Sequence, residues 1–244
     1  MKKVFLVSLF IALLGSVTIG QNYKVIKGIP INKPLMDNKP VHWGFTFGIN
    51  KTDFSVFKNE SLFHNDTINI YGIESTSMPG FFLGPVFNVR LGKYFDLRFL
   101  IDISFTQRNF TYYHFTGIDT AATLGTTIIK VPSSFIEFPI LLKYKGARLN
   151  NVRPYFILGT AGKYDLASLR KINVDEPHLQ VAPFDVYLEL GPGMDFYLPY
   201  FKFSIEFKYS NGFFNLLEKD NSIYSTPLDG LKSHSFMLSF HFEG

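Results

Sequence analysis

Ionisable side chains recur at every second position in several segments of the chain, and the positions between them are apolar or aromatic. The set comprises Arg90, Asp96, Arg98, Asp102, Arg108, Glu137, Lys143 and Lys163, then Asp165, Asp185, Glu189, Asp195, Lys202, Glu206 and Lys208. The two signs nearly balance. Two chemistries fit such a set. One is a gated channel or proton relay. The other is a network of pairs inside a filled interior, where an unpaired ion is costly. The balance of signs favours the second, which makes these residues architecture.

The elements that must position them read as β-strands. Phe201, Phe203, Ile205, Phe207 and Tyr209 alternate with Lys202, Ser204, Glu206 and Lys208, a strict period of two that puts rings on one face and charges on the other. The pattern returns at 41–50, 79–91, 95–110, 136–144, 153–167, 184–198 and 233–242. Outward faces carry, for example, Trp43, Phe45, Phe47 and Ile49, or Ile136, Phe138, Ile140, Leu142 and Tyr144. Pro132 and Pro139 weaken the fourth strand locally. Links of 92–94, 146–152 and 199–200 are short, whereas 51–77, 111–126, 168–183 and 213–232 read as long loops.

An even number of strands with alternately short and long links predicts an all-β fold, an eight-stranded antiparallel up-and-down transmembrane β-barrel. Short turns then face the periplasm and long loops the exterior. Eight strands leave an interior filled by side chains. A soluble barrel would instead hold the aromatic face inside. Lys2 and Lys3 before the apolar run Val4–Ile19 read as a signal peptide, 1–20, cleaved after Gly20. Residues 21–40, with Pro30, Pro34 and Pro40, read as an extended periplasmic tail, and 41–244 as the barrel. Outer-membrane lipid is the partner this implies, and the cell outer membrane the location. No later apolar run is long enough for a spanning helix, so crossing must be by strands.

Composition agrees: charged residues are 18%, aromatic residues 17%, Phe alone 28 and net charge +4. With 0 Cys, disulfides, Cys-zinc sites and thiol nucleophiles are excluded. No basic cluster joins a nucleic-acid motif. His42, His64, His114, His178, His234 and His241 show no metal-ligand spacing. Outer-membrane barrel enzymes use Ser and His near the lipid interface, but no G-x-S-x-G elbow occurs, and His114 or His234 with a serine would be the remaining candidates. The reading is of a protein that is not an enzyme, with no catalytic, cofactor-binding or metal residues, no cofactor and no small-molecule substrate. Gly191-Pro192-Gly193 reads as a bend or a concession to interior packing. Trp43, Tyr94, Tyr112, Tyr113, Tyr144, Tyr197, Tyr200 and Tyr209 fall near strand ends and suit interfacial girdles.

Several stretches resemble the PorT family, an outer-membrane barrel component of the type IX secretion system of Bacteroidetes. They are R-L-G-K-Y-F-D-L-R-F (90–99), E-F-P-I-L-L-K-Y-K with R-L-N-N-V-R-P-Y (within 137–155), E-L-G-P-G-M-D-F-Y-L-P-Y-F-K-F-S-I-E-F-K-Y-S-N-G (189–212) and L-K-S-H-S-F-M-L-S-F-H-F-E (231–243). The resemblance covers most of 41–244. It implies a non-enzymatic part needed for secretion of cargo bearing the C-terminal signal, and of gliding adhesins where present, with other secretion-system components as partners. A stand-alone barrel acting as adhesin or envelope stabiliser through its loops is the alternative. Asp66-Thr67-Ile68 and Asp119-Thr120-Ala121 resemble the short O-glycosylation acceptor pattern of the same phylum.

Overall fold

The computed structural model describes residues 30–59, 69–116, 123–169, 179–218 and 225–244. The leader at 1–20, the first part of the tail, both glycosylation-like tripeptides, His64 and His178 lie outside the described residues.

The strands are β1 (Val41–Lys58), β2 (Asn69–Ser77), β3 (Pro79–Arg90), β4 (Phe95–Leu100), β5 (Asp102–Thr116), β6 (Thr123–Lys145), β7 (Val152–Asp165), β8 (Phe184–Tyr197), β9 (Lys202–Gly212) and β10 (Leu228–Glu243). β2 and β3 form one stave broken only at Met78, as do β4 and β5 at Ile101, which makes a ring of 8. Each stave pairs antiparallel with its sequence neighbours, and β1 closes the ring on β10 from Gly44↔Glu243 to Phe57↔Gly230. No helix among the described residues is long and apolar enough to cross a membrane.

The alternation resolves as an apolar belt outside and charge inside. Trp43, Phe45, Phe47 and Ile49 are exposed, while Thr46, Asn50, Arg98, Glu137, Glu206 and Lys208 are buried. This is the reverse of a soluble barrel. Rings of adjacent staves meet across β9, β10 and β1: Phe45 and Phe242 stack with centroids 5.0 Å apart, and Phe203 lies 5.1 Å from Phe242. Such cross-strand pairs fix register as well as adding stability.

The strands run further than the alternation suggested. Residues 51–58, 69–77, 111–116 and 123–126, read as loop, are strand, and β10 begins at Leu228. Their polarity is inverted. On β1 Lys51, Asp53 and Ser55 now take the outward positions while Phe54 and Val56 turn in. On β5 Phe110 and Tyr112 turn in, and Arg108 closes the ionic series. Above the belt, the inner faces of β10 and β1 pack against those of β2, β5 and β6 around Phe54, Phe110, Ile129, Leu228 and Leu231. The Phe54 and Phe110 rings stack at 5.4 Å. Segments 179–183 and 213–218 close the open side, with Leu216 donating its N–H to Leu231 O at 2.8 Å and Val181 bridging Leu217. A small apolar headpiece therefore stands on a charged barrel.

Candidate functional site

The lumen contains the chemistry, and it is ordered in levels. Nearest the short turns, four carboxylates meet four cations: Asp96 with Lys145 at 2.5 Å, Asp195 with Lys143 at 2.8 Å, Glu243 with Lys202 at 2.7 Å, and Glu206 with Arg98 at 2.5 Å. Arg98 also lies 3.4 Å from Glu243 and donates through Nε to Asn88 Oδ1 at 2.9 Å. Tyr155 donates its hydroxyl to Glu206 at 2.9 Å and offers its ring face to Lys143 Nζ at 3.7 Å. Gly193, opposite Tyr155 in the β7–β8 ladder, is where that ring rests. A Cβ there would collide with it, so the Gly-Pro-Gly run is a packing concession.

One level up, Lys163 bridges Glu137 at 2.9 Å and Glu189 at 3.6 Å, and Lys208 holds Glu189 at 2.8 Å. Asp102 shares this level. At the top Arg108 bonds Ser133, lies 3.8 Å from Asp165, and lays its guanidinium 3.8 Å from the centroid of Phe54. That contact is the seam between the ionic lumen and the apolar headpiece. These ions are buried inside the ring and so depend on their partners, because removal of one strands the other in low dielectric.

The turn end is shut by the chain itself. Residues 30–40 are not extended; they fold beneath the mouth through a 3₁₀ turn, Met36–Asn38, that buries Met36. Asn32 donates its N–H to Asn151 Oδ1 and its amide to Tyr197 O, both at 2.9 Å. Asp37 accepts from Arg148 at 3.1 Å, Arg153 at 3.0 Å and the Tyr197 hydroxyl at 2.6 Å. Burial raises the Asp37 carboxyl, but the Tyr197 hydrogen bond and the two guanidinium charges outweigh it and hold the group below its ordinary value. Lys33 takes a positive φ of 46° in this strap, an uncommon conformation for a long side chain that the surrounding bonds maintain.

A family model described as "Outer membrane protein beta-barrel domain" matches residues 22–218. The chain belongs to that family. The apolar belt therefore faces outer-membrane lipid, and the headpiece and strap stand at its two surfaces. Solved structures similar to this outer-membrane barrel include three bacterial surface barrels. Neisserial surface protein A is 11% identical with a TM-score of 0.42, covering 84% of this chain and 97% of that one. OprG from Pseudomonas aeruginosa is 12% identical with a TM-score of 0.40, covering 83% and 91%. Ail, the attachment invasion locus protein of Yersinia pestis, is 11% identical with a TM-score of 0.39, covering 84% and 100%. No curated protein sequence matches the chain. The likeness to the three is architectural and transfers no role.

Within this outer-membrane barrel, the residues singled out from sequence separate cleanly. The ionisable set lines the lumen as read, except that Arg90 sits half-buried at the mouth, donating to Gly92 O and Asn38 Oδ1. Trp43, Tyr94, Tyr144 and Tyr200 are exposed at the turn end and form the lower girdle, whereas Tyr112 and Tyr197 are buried. Tyr112 belongs to the headpiece core and Tyr197 to the strap clamp. His234 meets Ser55 on the outer wall of the headpiece, Nδ1 to Oγ at 3.3 Å, while the nearby Asp53 is taken by Ser75 at 2.5 Å. Among the described residues no group of three His, Cys, Asp or Glu is placed to hold a metal. Sequence reading missed Lys145, Arg153, Tyr155, His241 and Glu243, all buried. Glu243 and Lys145 simply continue the parity of β10 and β6 one step past the assigned strand ends.

Proposed function

We propose that this outer-membrane barrel is a non-enzymatic component of the type IX protein secretion machinery, serving its assembly or operation through its surfaces and not as the conduit. The observation that carries the surface-acting part is the closed lumen: ion pairs fill it from Asp96 to Arg108, and the strap seals the periplasmic mouth. A side-chain-filled eight-stranded barrel has no room for a polypeptide. The link to secretion rests on the resemblance of 90–99, 137–155, 189–212 and 231–243 to the PorT family. Export through the 1–20 leader belongs to the same proposal.

Deleting the gene and comparing proteins in the medium and periplasm tests it. The expected result is periplasmic accumulation of signal-bearing cargo with the medium depleted. Normal secretion would cancel the assignment.

A second reading, a stand-alone surface barrel acting as adhesin or envelope stabiliser, draws on the headpiece. Strands that continue past the belt and enclose their own apolar core present a fixed surface, including the cleft between Phe57, Lys58, Asn215, Asp229 and Lys232. Loss of ligand or host-surface binding on shortening the headpiece, with secretion intact, would favour it.

A further inference from the structure

The turn end of the barrel carries an unbalanced charge. Lys33, Lys39, Arg90, Lys93, Arg148 and Arg153 stand below the lumen pairs, against a single acidic side chain among the described residues, Asp37. Asp96 and Glu243, at the lowest lumen level, are buried and paired with Lys145 and Lys202. Asp37 is shared by Arg148 and Arg153. The Arg90 guanidinium bonds neutral oxygens, Gly92 O at 3.3 Å and Asn38 Oδ1 at 3.4 Å. The Lys93 ammonium lies 5.2 Å from the centroid of the Tyr94 ring. Among the described residues no acid pairs with Lys93, Lys33 or Lys39. At the other end of the barrel the signs mix, Lys51 and Lys232 with Asp53 and Asp229.

These cations form one face, because the strap is bonded to the ends of all three short turns. Asn151 donates to Pro30 O at 2.9 Å and Arg148 to Lys33 O at 3.4 Å. Asn32 reaches Tyr197 O at 2.9 Å, the Arg90 N–H donates to Pro40 O at 2.8 Å, and Arg153 reaches Lys93 O at 3.3 Å. Apolar side chains stand among the charges. Leu35 is 73% exposed, Ile31 50% and Leu149 46%. The strap runs beneath the mouth, within the ring of staves, whereas lipid surrounds the outer wall; the bilayer does not cover Ile31 or Leu35.

We propose that this face docks an acidic periplasmic protein, which sets carboxylates against Lys33, Lys39 and Lys93 and apolar side chains over Ile31 and Leu35. Exposed apolar residues rimmed by charge mark a contact surface, and the single sign of the rim selects and steers an opposite one. A second copy of the chain does not fit, since two such faces repel. The inference is independent of the secretion reading and holds equally for a stand-alone barrel.

The test is photo-crosslinking in cells of the source bacterium, with a benzophenone amino acid at Leu35 and, as control, at Ile128 in the headpiece. Leu35 is expected to give one discrete protein adduct, absent at Ile128, whose partner mass spectrometry identifies as a periplasmic protein of net negative charge. Lys33→Glu, Lys39→Glu and Lys93→Glu together reverse the rim and are expected to lower the adduct about tenfold or more, with the heat-modifiable folded band retained. Should the triple variant not fold, Lys93→Glu alone, in an exposed turn, is expected to lower the adduct in the same direction. No adduct, an adduct with phospholipid only, one with a second copy, or a protein adduct that charge reversal leaves unchanged would each overturn the proposal.

Discussion

Below Lys51 the wall of the barrel turns charge inward and rings outward; above it the same staves do the reverse, with side-chain parity kept along β5 and β6 and shifted at Met78 and at the β1–β10 bulge near Gly230. β5 makes the comparison within one strand: Asp102, Ser104, Thr106 and Arg108 point in, and the next inward residues are Phe110 and Tyr112. The backbone is indifferent to the change, since ladder pairing with β6 continues from Asp102↔Glu137 to Thr116↔Thr123. What changes is the medium outside. Lipid accepts apolar side chains, so the belt's inner face must be polar and self-satisfied. Water accepts Lys51, Asp53 and Lys130, so the apolar residues must find each other inside. The lower region is consequently held by specific pairs and the upper by non-directional burial.

That difference predicts unequal responses to truncation. Arg98→Ala should have the largest effect, about 3–5 kcal/mol, because it leaves Glu206 and Glu243 buried beside a missing cation. The expected readout is loss of the heat-modifiable folded band on electrophoresis. Replacing a whole pair, Lys143→Met with Asp195→Leu, should instead be neutral or stabilising, as is common when both charges go. If the double replacement were as damaging as Arg98→Ala, the lumen would be holding its ions for a purpose other than mutual satisfaction. Leu231→Ala in the headpiece should cost about 2–5 kcal/mol, but locally. Limited proteolysis is expected to cut the headpiece while the belt stays resistant, and simultaneous loss of both would show that the two regions fold as one.

The lower region was legible in the sequence and the upper was not, for the same physical reason. A strand between lipid and a charged lumen alternates between extremes, Phe against Glu or Lys, so 201–209 and 136–144 declare themselves and even the hidden face of Arg98 or Glu189 follows from parity. Above the belt one side of the alternation mixes Ser, Thr and Asn with Lys, Asp and an occasional Tyr or Ile, and the other holds only two or three apolar residues per strand. Residues 51–58 and 111–116 therefore read as polar loop, and Tyr112 as interfacial although it is core. The strap was illegible in another way. Asp37, the β6–β7 turn with Arg148 and Arg153, and Tyr197 are far apart in the chain and have no shared periodicity; only the closed ring brings them together.

Ile140 and Ile128 sharpen the boundary on the outer wall. Both lie on β6 with the same parity and are exposed, at 49% and 58%. Ile140 sits mid-belt, flanked outward by Phe138 and Leu142, whereas Ile128 stands above Lys130 in the headpiece. Ile140→Arg is expected to cost about 2–4 kcal/mol in lipid vesicles. Ile128→Arg should fall within about 0.5 kcal/mol of wild type, as surface changes usually do. Equal costs would move the membrane surface upward and make the headpiece wall part of the span.

The smallest effect on barrel stability belongs to the strap, which is half-exposed and shares neither region's mode of cohesion. Asp37 has a folded-state value below its free one, so its contribution is fully present above the ordinary carboxylate range and is lost as pH falls through the lowered value. The strap is thus expected to stay docked at neutral pH and to loosen only below about pH 4. Asp37→Asn should loosen it at neutral pH by removing the charge that Arg148 and Arg153 share, and abolish the pH dependence, while leaving the unfolding midpoint of the barrel almost unchanged. Because the chain has 0 Cys, a single cysteine at Met36 reports the state directly: slow labelling in wild type at pH 7, faster labelling after Asp37→Asn or at low pH. Fast labelling of wild type at pH 7 would mean that the clamp does not keep Met36 in the mouth, and closure would then rest on the ion pairs above it alone.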